Sequence, residues 1–151
     1  MKRVLFSLLF ISSLAYISAS AQCGEEVKRQ ALDEMGNSQY IRDYSINIEK
    51  DDGGGKTGQV KFNVLLNSRN HYRFNVVDGP SNRDKIVMQL YDEDNMLVSN
   101  YDGGTHYDSF EFVCRSTKVY SLVFSFRGGG EGCAEAVISL VKQYSEGEMG
   151  F

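Results

Sequence analysis

The chain has 151 residues, 12% of them aromatic and none of them Trp, and 16 Lys and Arg stand against 20 Asp and Glu for a formal charge of −4. That length supplies one hydrophobic core and is too short for two. An acidic balance without clustered Lys and Arg excludes duplex nucleic acid as a partner, because phosphate binding rests on such clusters.

Lys2 and Arg3 precede an apolar run over residues 4–17, and Ala19-Ser20-Ala21 fits the small-residue pattern at which a leader is cut. Residues 1–21 are therefore expected to be a cleaved signal peptide, with the mature chain starting at Gln22. Export places the protein in the periplasm, on the outer surface or in the medium. The apolar run is short and Ser-interrupted for a bilayer core of about 30 Å, and no second run of spanning length follows, so no transmembrane segment is expected after cleavage. Loss of Lys2 and Arg3 leaves 14 basic against 20 acidic residues, a charge of −6. Cys23 lies close to the cut, but Gln22 stands where a lipid-acceptor cysteine needs a small residue.

Within residues 22–38, Val27, Ala31 and Met35 recur every four residues and Gly36 supplies a stop, which predicts one short N-terminal helix. From Tyr40 the period changes to two. Tyr44, Ile46 and Ile48 share one face; so do Val60, Phe62, Val64 and Leu66, then Tyr72, Phe74 and Val76, then Ile86, Met88 and Leu90. Turn-forming clusters at 51–58, 67–70, 78–84 and 92–95 separate these runs. A short run over 96–101 follows, then Phe110, Phe112 and Cys114, then Tyr120, Leu122, Phe124 and Phe126, and last Ala134, Ala136, Ile138 and Leu140.

About eight short strands at this spacing, with no helix-length crossover between them, predict an all-β, eight-stranded antiparallel jelly-roll-like β-sandwich over residues 39–143. Apolar residues on both faces of a strand, as in Val123 beside Phe124, suit central strands covered by a second sheet. Residues 144–151, rich in Gly and Glu, read as a flexible tail.

Residues 60–141 resemble the bacterial pre-peptidase C-terminal (PPC) type of jelly-roll sandwich. The matching stretches are Tyr72-Arg73-Phe74, then Leu90-Tyr91-Asp92 through Leu97-Val98-Ser99-Asn100, then Ser116-Thr117-Lys118-Val119-Tyr120. The chain is similar, less closely, to the GOLD β-sandwich. The resemblance implies a non-catalytic appendage that aids binding, secretion or stability, and calcium binding in some relatives.

The Gly-rich segment 50–58 holds a G-x-G-x-x-G string in Gly53, Gly55 and Gly58, and Gly55-Lys56-Thr57 copies the end of a P-loop. Both mechanisms need a helix N-terminus directly after the loop, whereas strand pattern follows here, so a hairpin connection is expected. Asp92, Asp94 and Asn95, with Asp102 nearby in sequence, form an oxygen-rich set suited to Ca²⁺, although the EF-hand spacing fails at Met96. No other cofactor is expected. His71 and His106, the only histidines, read as surface loop residues, and neither G-x-S-x-G nor H-E-x-x-H occurs, so no catalytic residue is assigned. Tyr91, Tyr101 and Tyr107, with Arg127 in the Gly-rich segment 127–132, lie on or beside connections that can form a binding surface.

Three cysteines remain after cleavage, enough for one bridge and one free thiol. If the strands around them form a meander, Cys114 and Cys133 sit at opposite ends of a ribbon about 30 Å long, beyond the roughly 7 Å that a disulfide tolerates between Cα atoms. The expected bridge joins Cys23 to Cys133 and leaves Cys114 a buried thiol, with Cys23 to Cys114 as the alternative. The function expected is a non-catalytic interaction or structural module of the bacterial cell envelope, contacting another envelope or secreted protein. The alternative is a calcium-dependent carbohydrate-binding domain, with a glycan on the acidic turn and its neighbouring tyrosines.

Overall fold

The computed structural model describes residues 23–49, 58–80, 82 and 86–149. The expected signal peptide and most of the Gly-rich segment lie outside the described residues.

Helix α1 spans Glu25–Glu34. Glu25 and Glu26 occupy its first turn, where carboxylates favour the positive end of the helix dipole. Gly36, at φ +62°, takes the left-handed conformation that ends it. The strands are β1 Gln39–Ile48, β2 Gln59–Leu66, β3 Asn70–Asp78, β4 Ile86–Asp92, β5 Asn95–Ser99, β6 Tyr101–Asp102, β7 Thr105–His106, β8 Ser109–Cys114, β9 Lys118–Phe126 and β10 Gly132–Gln143.

Eight of these strands make two four-stranded antiparallel sheets, one in the order β1-β10-β3-β8 and the other β2-β9-β4-β5, while β6 and β7 form a separate two-residue ribbon. Successive strands from β1 to β4 alternate between sheets, as do β8, β9 and β10. This is the jelly roll, an eight-stranded double-sheet arrangement. The all-β sandwich with one short N-terminal helix read from the sequence is the fold observed.

The two inner faces meet in one core, in which Phe74, Met88, Leu90, Leu122, Phe124 and Ile138 are fully buried. Each such side chain contributes about 1.5–3 kcal/mol relative to exposure. Phe74 stacks on Phe110 with centroids 5.1 Å apart, and Phe112 meets Tyr120 edge-on at 5.5 Å. A smaller apolar cluster lies outside the first sheet, where Val27 and Ala31 of α1 close over Val77 of β3 and Val137 of β10. Asn75 of β3, almost fully buried, donates its side-chain amide to the Ala31 carbonyl at 2.7 Å and ties the helix down.

The bridge joins Cys23 to Cys133 with Cα atoms 5.5 Å apart, and Cys114 is a buried free thiol. The meander used to separate Cys114 from Cys133 is not the real topology, since β9 lies in the other sheet from β8 and β10. The separation holds for another reason. Asn70 is the register partner of both Cys114 on β8 and Gln143 on β10, so Cys114 stands about ten residues, roughly 33 Å, from Cys133 along the sheet.

One further expectation is corrected. His71 lies in β3 and His106 in β7, not in loops: His71 Nε2 is 2.8 Å from Glu111 Oε2, and His106 Nε2 is 2.5 Å from the Ile86 carbonyl. At the start of the tail, Tyr144 N–H donates to the Arg69 carbonyl at 2.8 Å and Lys142 pairs with Glu148 at 2.5 Å.

Candidate functional site

The outer faces of the two sheets differ in charge and in cover. The first sheet carries α1 and a set of ion pairs. Arg73 reaches Glu111 at 2.7 Å, and that guanidinium, more than any other neighbour, holds the Glu111 carboxyl below its ordinary range. Lys28 of α1 reaches Asp43 of β1 at 2.6 Å and lowers the Asp43 carboxyl, with the Tyr40 hydroxyl donating to the same carboxylate.

The second sheet has no helix or strand stacked outside it among the described residues. Its outward side chains follow from the register. Gln59, Ser125 and Val87 form one row; Lys61, Val123, Gln89 and Ser99 the next; Asn63, Ser121, Tyr91 and Met96 the third; Leu65 and Val119 the last. Only Lys61 of these is charged. Leu65 is 63% exposed and Val119 58%, and the two are direct cross-strand partners. Met96, 49% exposed, faces Tyr91. The Gln89 side chain binds across this row, accepting from the Tyr91 hydroxyl at 3.2 Å and donating to Met96 Sδ at 3.2 Å. The half-buried Val123 belongs to this open face, so its apolar character does not reflect a covering sheet as the sequence had suggested.

The residues picked out as a binding surface divide between this face and one end of the sandwich. Tyr91 is on the face. Tyr101 and Arg127 meet at the end near Ile86, where the guanidinium carbon lies 4.6 Å from the Tyr101 ring centroid. Phe126, which precedes Arg127, pairs with Ile86, and His106, the partner of Tyr101, binds the Ile86 carbonyl. Tyr107, 52% exposed, hangs at the same end through its N–H to the Asn100 carbonyl.

The acidic set is likewise divided. Asp92 and Asn95 close the β4–β5 hairpin with Asp94 between them, and Asp92 is bound by Lys118. Asp102 sits on β6 at the Ile86 end, six residues along β4, or about 20 Å, from that hairpin. Among the described residues, no group of three or more His, Cys, Asp or Glu is placed to hold a metal ion.

Two features escaped the sequence reading. Asn100, fully buried, is a polar hub: its Oδ1 accepts from Met88 N–H at 2.7 Å and its Nδ2 donates to the Tyr107 carbonyl at 3.1 Å and the Ile86 carbonyl at 3.3 Å. Glu135, 3% exposed, lies on β10 beneath the first turn of α1. Its only sequence signal is a lone carboxylate inside the run Cys133-Ala134-Glu135-Ala136-Val137.

No family model matches the chain, and no curated protein matches it. Several solved structures are similar to it in fold, among them the following two. One is Aeromonas hydrophila PliG, a periplasmic lysozyme inhibitor of g-type lysozyme, at 7% identity and TM-score 0.46, covering 69% of this chain and 88% of that one. The other is the pre-peptidase C-terminal domain of collagenase from Bacillus anthracis, at 12% identity and TM-score 0.47, covering 67% and 90%. Neither likeness establishes a family. No helix among the described residues is long and apolar enough to cross a membrane.

Proposed function

We propose that this chain is an exported, non-catalytic interaction module of the bacterial cell envelope that binds a protein partner through the outer face of the second sheet. The supporting observation is the composition of that face, whose outward rows among the described residues hold no carboxylate and one Lys and expose Leu65, Val119 and Met96 beside Tyr91. Cores of protein interfaces are depleted in charge and enriched in Met and Tyr in the same way. A chain with more acidic than basic residues that, among the described residues, keeps carboxylates out of the outward rows of one sheet is arranged for contact rather than for solvation. A glycan site would call for an exposed aromatic platform, and Tyr91, the one aromatic on this face, is half-buried and bonded to Gln89. The disulfide and the leader pattern support residence in an oxidising compartment.

The test is affinity capture from envelope extract with wild-type protein, Leu65→Lys/Val119→Glu, and Glu34→Gln on the helix side. Each substitution is at the surface and should leave stability within about 0.5 kcal/mol. The reading requires a stoichiometric protein partner retained by wild type and Glu34→Gln and lost by the double variant. Retention by all three would contradict it.

A further inference from the structure

We propose that the cavity beneath the first turn of α1 binds the primary ammonium group of a small amine. The cavity, of about 300 Å³, lies between the helix and the outward residues of β1 and β10 and is lined by Cys23, Glu25, Lys28, Ser45, Asn47 and Glu135. That volume is at the lower end of small-molecule sites, which run from about 300 to 1,000 Å³.

Glu135 makes this a built site. It is 97% removed from solvent on a central strand, its carboxyl accepts from the Ser45 side chain, and its Oε2 has no hydrogen-bond partner among the described residues. Buried carboxylates without a partner are costly, and the cost is met by a bound cation or by a proton. Burial does push this carboxyl above its ordinary range.

The one cation lining the cavity is already committed, since Lys28 is 2.6 Å from Asp43. Lys28 also attracts Glu135 electrostatically, but its hydrogen bond goes to Asp43, so Glu135 Oε2 has no cation in contact among the described residues. Glu25, with Glu26, also offsets the positive end of the α1 dipole, which would otherwise repel a cation.

The donor set favours an ammonium over a metal ion. Ca²⁺ takes six to eight oxygens, and no group of three carboxylates, His or Cys is gathered among the described residues. A primary ammonium has three N–H donors, and the Glu135 and Glu25 carboxylates and the Asn47 side-chain oxygen, all of residues lining the cavity, are acceptors for it.

The experiment is an NMR titration of the disulfide-bonded chain with methylammonium chloride, with tetramethylammonium chloride and potassium chloride at equal ionic strength as controls. Saturable shifts confined to residues around Glu135 and Asn47, given by methylammonium alone and weakened about tenfold in Glu135→Gln, would bear the proposal out. Asn47→Leu, on the exposed rim, provides a second variant expected to weaken binding without touching the core. An equal response to tetramethylammonium or potassium, undiminished binding in both variants, or no saturable shift would overturn it.

Discussion

The backbone N–H of Gly79 donates to the Cys133 carbonyl at 2.8 Å, and a Cβ placed on Gly79 would lie 2.6 Å from Cys133 Sγ and 3.2 Å from Cys23 Sγ. The bridge that fastens the helix segment to β10 therefore depends on a residue without a side chain. Gly79→Ala is expected to lose about 1–3 kcal/mol to this overpacking. Urea unfolding measures the loss. Thiol titration in denaturant should find one thiol per chain in wild type, where Cys114 alone is free, and more than one in the variant.

Cys114 itself should not react with a thiol reagent in the native state. It is fully buried, donating to the Ser116 carbonyl at 3.2 Å and lying 3.6 Å from the Tyr120 hydroxyl. Modification at the rate of a free thiol without denaturant would contradict its position in the core.

Asn100→Ala is expected to destabilise by about 2–3 kcal/mol, because it strips a partner from the buried Met88 N–H and from the Ile86 and Tyr107 carbonyls. Chemical denaturation of the variant against wild type decides this, with an unchanged midpoint as the contrary result.

Stability should respond to acid in two opposed ways. Asp43 is held below its ordinary 3.8, chiefly by the hydrogen bond from Lys28, so the stability it contributes is present above that value and is lost as pH falls through its folded pKa. Glu135 is raised above 4.5, chiefly by burial, so its contribution is fully present below 4.5 and is lost as pH rises through its folded pKa. Relative to wild type, Asp43→Asn should therefore lose its deficit below pH 3.8, and Glu135→Gln should gain on wild type as pH rises above 4.5. Melting temperatures of the three proteins across this range test both signs.

The strand pattern carried much of the fold, because alternation in Tyr72, Phe74 and Val76, or in Tyr120, Leu122 and Phe124, is imposed directly by one face lying in the core. The helix was legible from Val27, Ala31 and Gly36 for the same reason. Sheet membership was not, since a residue such as Cys114 points inward with the same period whether its strand continues in a meander or crosses to the facing sheet. His71 escaped because its neighbours Asn70 and Tyr72 are buried around a short polar stretch that reads as a turn. Of the binding surface, the pairing of Leu65 with Val119 could not be seen, because residues 54 positions apart meet only through the register of β2 and β9.

The most direct measurement places a photo-crosslinking amino acid in turn at Val119, on the open sheet face, and at Glu34, on the helix side, and irradiates intact cells producing the protein. The account predicts one protein adduct in near-quantitative yield from position 119 and none from position 34. An adduct to the same protein from position 34 with none from position 119 would contradict it.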